Sequence, residues 1–171
     1  MTTTALKQKQ PDSNVPNVAG RGGPASAAEL IAGNINPRTG LATDYLNHFN
    51  EAIMLLEMIP DMPDCYELFL EWEPLTYAEH FIKSNFKSRD LAIAAYESAN
   101  PAIRSAFDTV VANMTSILTA VGDAMRGAKQ DKTRAILAEQ AVGWVKPLVA
   151  VTGGIINGRE QEPDVDYIMT H

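Results

Sequence analysis

Apolar residues between positions 101 and 127 recur at alternating steps of four and three, which stacks them on one side of a helix. Asn100 before Pro101 is typical of a helix start, and Gly127 is typical of a left-handed helix end. The pattern predicts a long amphipathic helix that packs on other helices. Its apolar side consists of Ile103, Phe107, Val110, Met114, Ile117 and Val121.

A second long helix is predicted from Ala42 to Met58, with a core side made of Ala42, Leu46, Phe49, Ile53 and Leu56. In its second half only Glu57 is polar, and a helix that is apolar all round is buried on all sides. This end is therefore expected either at the centre of the bundle or in a subunit interface. The residues expected to make that contact are Met54, Leu55 and Met58.

A third long helix is predicted to begin near Asp131, with Leu137, Ala141, Trp144 and Leu148 facing the core. Pro147 is expected to kink or split it near Val145, and Gly153-Gly154 to end it. Capping patterns at Asp64, Thr76 and Ser88 predict three short helices before the long helix at 101. A similar pattern at Ser26 predicts a short first helix.

No segment alternates between apolar and polar residues as a half-buried strand does. The sequence therefore predicts an all-α fold: an antiparallel helical bundle of two to three long helices with short inserted helices. Residues 25–158 form the predicted helical domain. Residues 1–24 are poor in large apolar side chains and are predicted to be a flexible, disordered N-terminal arm. Residues 159–171 are predicted to be an acidic C-terminal tail.

The chain has 171 residues, of which 14 are Lys or Arg and 21 are Asp or Glu, for a net charge of −7. Residues 1–40 contain four basic and two acidic residues, which leaves −9 for the remainder. Because nucleic acids and anionic membranes are bound mainly through Lys and Arg, neither is expected as a partner. Cys65 is the only cysteine, and no secretory signal or long membrane-spanning run is evident. These features favour a cytoplasmic location.

Asp44, His48 and Glu51 follow one another at i, i+4 and i+7, a spacing that can place carboxylates and an imidazole on one metal ion. They are expected to face away from the core stripe, and no Glu-x-x-His pair exists to complete a dimetal site. An ordinary solvated helix face is therefore favoured. His80 is expected to be a partly buried packing residue, and Cys65 an inert thiol.

The sequence contains no convincing catalytic constellation. It favours a non-enzymatic helical interaction or regulatory module that binds a protein partner or forms a homodimer, because methionine-rich surfaces adapt to partners. An alternative is a helical-bundle metal-binding protein or enzyme that uses His48 with Asp44 and Glu51, joined by His80. A third possibility is a carrier of a small apolar ligand between the helices. The pattern does not identify a cofactor.

Overall fold

The computed structural model describes residues 25–159, which form seven α-helices and no strand. This confirms the all-α prediction; the predicted arm at 1–24 and residues 160–171 of the predicted tail lie outside the described residues. Two 3-10 turns, Thr43–Tyr45 and Pro63–Cys65, lead into the second and third helices. The helices are α1 (Ala27–Ala32), α2 (Leu46–Met58), α3 (Tyr66–Glu71), α4 (Tyr77–Lys83), α5 (Arg89–Glu97), α6 (Pro101–Gly127) and α7 (Asp131–Ile156).

Three of the helix starts follow the predicted capping chemistry. The Ser26 hydroxyl accepts a hydrogen bond from the Glu29 N–H, and the Asn100 side chain accepts one from Ala102. Thr76 and Glu79 form a complete capping box, in which each side chain bonds the other residue's N–H. Asp64 and Ser88 make no such bond, so the predictions for their capping roles are wrong. Before α3 the 3-10 turn takes the place of a side-chain cap.

The three long helices pack in antiparallel pairs. Only residues 128–130 separate α6 from α7, and these two helices share the most extensive contact in the fold. Leu46, at the start of α2, lies against Gly153 near the end of α7. Glu57, at the other end of α2, pairs with Lys146, so α2 and α7 also run in opposite directions. The short helix α3 packs on both α2 and α6, and α4 packs on α5 and on the 3-10 turn before α2.

All seven helices contribute to one core cluster. The core side of the helix predicted from Ala42 to Met58 is buried throughout, and so are Phe107, Met114 and Val121 of α6. Ile103 and Val110 are only half-buried against this cluster. The periodicity therefore predicted the direction of the core correctly and the depth of burial less well.

Helix α7 differs from the prediction at two places. It is continuous through Pro147, and it passes Gly153-Gly154 to end at Ile156. Pro147 lies at the surface, where water can bond the Gly143 carbonyl that its missing N–H leaves unpaired. Gly153 packs on Leu46 and keeps helical geometry, with its carbonyl accepting a hydrogen bond from Asn157.

Helix α6 also ends differently from the prediction. Gly127 remains within the helix, and Ala128 is the extended residue after it. A left-handed glycine is therefore not needed there, because the chain leaves the helix directly in extended conformation and turns into α7.

By length and composition, α7 is the one helix in residues 25–159 that could cross a membrane. Within its most apolar 18-residue window, 22% is buried in the fold. The sequence predicts no such segment, because no apolar run reaches the roughly 20 residues that span a bilayer. Core helices of soluble proteins meet the same criteria, so this feature does not indicate a location.

Candidate functional site

The His48 side chain is buried, 5% exposed, although the helical pattern placed it on the solvent side of α2. Trp72, which follows α3, covers it: the two rings stack with centroids 4.5 Å apart. The Trp72 indole N–H also donates a hydrogen bond to the His48 carbonyl, at 3.0 Å. The prediction of a surface histidine is therefore wrong, because a residue 24 positions away closes over this side of the helix.

The imidazole of His48 has a fixed tautomer. Its Nε2 accepts a hydrogen bond from the Leu75 backbone N–H at 3.0 Å, so this nitrogen cannot carry a hydrogen. Burial, followed by the nearby charges of His80 and Lys83, lowers the pKa of His48 to about 4. His48 is consequently neutral at pH 7 and secures the segment between α3 and α4.

His80 differs from His48 in that its Nε2 donates a hydrogen bond. It is buried, as expected of a packing residue, and its Nε2 lies 2.9 Å from Oδ2 of Asp44. An ionised carboxylate only accepts hydrogen bonds, so Nε2 carries the hydrogen and donates it. Asn47 donates to the other carboxylate oxygen of Asp44, at 3.2 Å. Asp44 is thus held from two sides, by a side chain of α4 and by one of α2.

Two buried tyrosines complete this polar cluster. The Tyr45 hydroxyl donates to the Leu75 carbonyl at 2.6 Å, and the Tyr77 hydroxyl accepts from the Ala42 N–H at 2.9 Å. Burial raises the pKa of both phenols above the usual range. These bonds satisfy backbone groups in the loops that precede α2 and α4.

The structure brings only part of the predicted metal site together. Asp44 contacts His80, whereas His48 uses its Nε2 on Leu75, and Glu51 lies exposed on the outer side of α2. Within residues 25–159, no three His, Cys, Asp or Glu side chains are grouped so that they could hold a metal ion. The geometry therefore adds no support to the metal-site hypothesis, which metal analysis of the purified protein can test.

The three predicted interaction residues have different environments. Met54 is 55% exposed, whereas Leu55 and Met58 are half-buried. Within one copy of the chain this end of α2 is therefore not buried on all sides, and its burial in a subunit interface stays a prediction. Met54 points to solvent one turn before Glu57, whose carboxylate lies 2.7 Å from the ammonium of Lys146 on α7.

A larger exposed surface surrounds this ion pair. Gly143 and Ala150 lie one turn before and one turn after Lys146, on its side of α7, and Pro147 lies between them. We call this surface the α2–α7 face. Its six exposed residues are Met54, Glu57, Gly143, Lys146, Pro147 and Ala150.

Trp144 extends the α2–α7 face. The periodicity placed it in the core of α7, but it is 53% exposed and lies one turn before Pro147. Val145, the next residue, occupies the core position instead and is fully buried. A large aromatic side chain is therefore exposed next to Pro147, at the edge of the face.

Comparisons of the chain with protein-family models, with curated proteins and with solved structures find no match.

Proposed function

We propose that the protein is a non-enzymatic helical interaction module that binds a second copy of itself through the α2–α7 face. The observation that supports this most is the composition of that face: four apolar or small residues surround one ion pair between Glu57 and Lys146. Exposed apolar surfaces of this kind usually mark contacts with other molecules.

Charge favours a second copy as the partner. The whole chain carries −7, so two copies repel each other over most of their surfaces. The α2–α7 face carries one positive and one negative charge and is neutral overall. In a twofold arrangement each Lys146 can approach Glu57 of the partner subunit, because isologous interfaces bring a surface against itself.

The shape of the face also suits helix packing. Gly143 has nothing within 4 Å of the position that a Cβ would occupy, and Ala150 is exposed one turn beyond Lys146. Small residues let a second helix approach closely. Trp144 can then cover Pro147 of the partner subunit, and tryptophan is enriched among the residues that contribute most to interfaces.

Sedimentation of the full chain tests the proposal. The parent is expected to run as a dimer at high micromolar concentration. Gly143→Arg is expected to give a folded monomer, since the arginine fits the subunit but not the interface. Met54→Glu should also give a folded monomer, because Met54 belongs to the face and is 55% exposed. The matched control is Ile82→Glu, because Ile82 on α4 is 58% exposed and lies outside the face; this variant should remain a dimer.

A parent that is monomeric at high concentration contradicts the homodimer. Dimerisation that persists in Gly143→Arg places the interface elsewhere on the molecule. Flotation of the parent with neutral phospholipid vesicles would instead assign the exposed apolar side of α7 to a membrane surface. We propose the cytoplasm as the location in which the module works.

A further inference from the structure

A cleft of about 480 Å³ opens beside the polar cluster, with Asp44 in its wall. It lies between α1, the loop at 34–41, the start of α2 and the end of α7. Its inner wall is apolar and includes the buried side chains of Ile35, Leu41 and Ile156. Ile31, which is 61% exposed, and Phe86 form part of its edge.

The polar lining of the cleft consists of one carboxylate, four amides and one hydroxyl. These belong to Asp44, to Asn34, Asn36, Asn47 and Asn157, and to Thr43. Among the described residues that line the cleft, Asp44 is the one charged side chain, and none is Lys, Arg or His. The charge that an anionic ligand would meet in this lining is therefore that of a carboxylate, which repels it, whereas a cation would be attracted.

Asp44 is organised before any ligand arrives. His80 holds one carboxylate oxygen at 2.9 Å and Asn47 holds the other at 3.2 Å. The Asp44 side chain nevertheless remains 31% exposed, whereas that of His80 is 9% exposed. The two hydrogen bonds thus hold the carboxylate in place, and it keeps acceptor positions open toward the cleft. A ligand that binds there does not have to order a mobile surface carboxylate, so that entropic cost is avoided.

From this geometry we infer a binding site for a small organic ammonium compound. The ammonium group has three N–H donors and no acceptor, which matches the Asp44 carboxylate and the amide oxygens beside it. The apolar stem of the ligand lies along Phe86 and Ile31 toward the opening. This site does not involve the α2–α7 face, so it is independent of self-association.

Butylammonium is a direct probe, and NMR amide spectra of the full chain report on the binding. The titration is run at pH 8, where an alkyl ammonium group is still charged. We expect saturable shifts at the side-chain amides of Asn36, Asn47 and Asn157, with a dissociation constant on the order of millimolar for so small a ligand. The uncharged analogue 1-butanol should bind at least tenfold more weakly, and butyrate should give no saturable shift.

Two pairs of variants separate binding from folding. Asp44→Asn keeps an oxygen for the His80 hydrogen bond and should weaken butylammonium binding at least tenfold. Its control is Asp108→Asn, because Asp108 on α6 is likewise hydrogen bonded, to Tyr96, but lies outside the cleft. Ile31→Arg adds a positive charge at the exposed edge and should also weaken binding, whereas Ile31→Gln should not.

Several outcomes would overturn the site. Equal binding of butylammonium and 1-butanol would show that the carboxylate plays no part. Unchanged affinity for butylammonium in folded Asp44→Asn would lead to the same conclusion. Equal affinities of Ile31→Arg and Ile31→Gln would show that the charge of the ligand is not sensed at the edge of the cleft. An absence of saturable shifts at ligand concentrations far above the millimolar range would remove the site altogether.

Discussion

His48 shows that the local sequence pattern around a residue does not reveal which distant segment covers its side chain. Its place on α2, opposite the Phe49 side, predicted a solvated imidazole and a possible metal ligand. Its actual partners, Trp72 and Leu75, come from 24 and 27 residues later in the chain. Periodicity measures direction around one helix, whereas burial also depends on which distant segment covers that direction. The Asp44–His80 contact could not be located from the sequence for the same reason.

The neutral tautomer of His48 gives a pH dependence. In the unfolded chain a histidine binds a proton near its ordinary pKa of about 6.5, whereas the pKa of folded His48 is about 4. Between these values the unfolded state binds more protons, so stability falls as the pH drops from 6.5 to 4. The stabilisation lost across this window is about 3 kcal/mol.

Urea unfolding of the parent and of His48→Gln at several pH values between 4 and 7 measures this contribution. Gln does not titrate, so the variant should be less stable at pH 7 and should lose less stability on acidification. The two proteins share their carboxylates, including Asp44, and also His80 and Lys83, so the difference isolates residue 48. Parallel losses in both proteins would mean that His48 does not contribute to acid sensitivity.

At the scale of the helices, the sequence was most informative where the capping residues and the apolar spacing indicated the same helix. Asn100, Pro101 and a repeated apolar spacing all indicated α6, and its start is as predicted. In α7 the breakers Pro147 and Gly153-Gly154 contradicted the apolar repeat, yet the helix continues through all three residues, and Gly153 lies beside Leu46 of α2. The intrinsic cost of a glycine in a helix is small enough for such packing to outweigh it.

Two glycines should respond oppositely to alanine. Gly143 lies within α7 with open space around it, so Gly143→Ala should stabilise the fold by about 0.5–1 kcal/mol. Gly40 has a φ of +73°, and a Cβ there would lie 2.9 Å from the Ala95 carbonyl oxygen. Gly40→Ala should therefore destabilise the fold by more than about 1 kcal/mol. Thermal unfolding at low protein concentration measures both; a shift of the same sign in both variants would contradict this account of the loop and of α7.

For the whole molecule, the sequence predicted the class and the helix order well, because helix periods and caps are local properties. It did not predict which surfaces remain free. Trp144 was assigned to the core and is exposed, whereas His48 was assigned to solvent and is buried. Met54, Leu55 and Met58 were predicted as one contact group, and only Met54 is fully at the surface. Whether a side chain is buried or exposed depends on how all seven helices pack around one core, and the sequence of a single helix does not specify that packing.

The proposed dimer has a thermodynamic consequence that involves the whole chain. Each copy carries a net charge of −7, while the α2–α7 face is neutral. Electrostatic repulsion between the acidic surfaces outside the face therefore opposes association of the two copies. Added salt screens that repulsion, since the Debye length falls from about 30 Å at 0.01 M to about 10 Å at 0.1 M. The dissociation constant of the dimer should therefore decrease on raising sodium chloride over this range.

Sedimentation equilibrium at the two salt concentrations tests this directly, and thermal unfolding supplies a second measure. If folding is coupled to dimerisation, the melting temperature rises with protein concentration, and it should do so more steeply at the higher salt. Gly143→Arg removes the association, so its melting temperature should not depend on concentration. A dimer that instead weakens with salt would mean that ion pairs across the interface, such as Lys146 with Glu57 of the partner subunit, outweigh the repulsion between the acidic bodies.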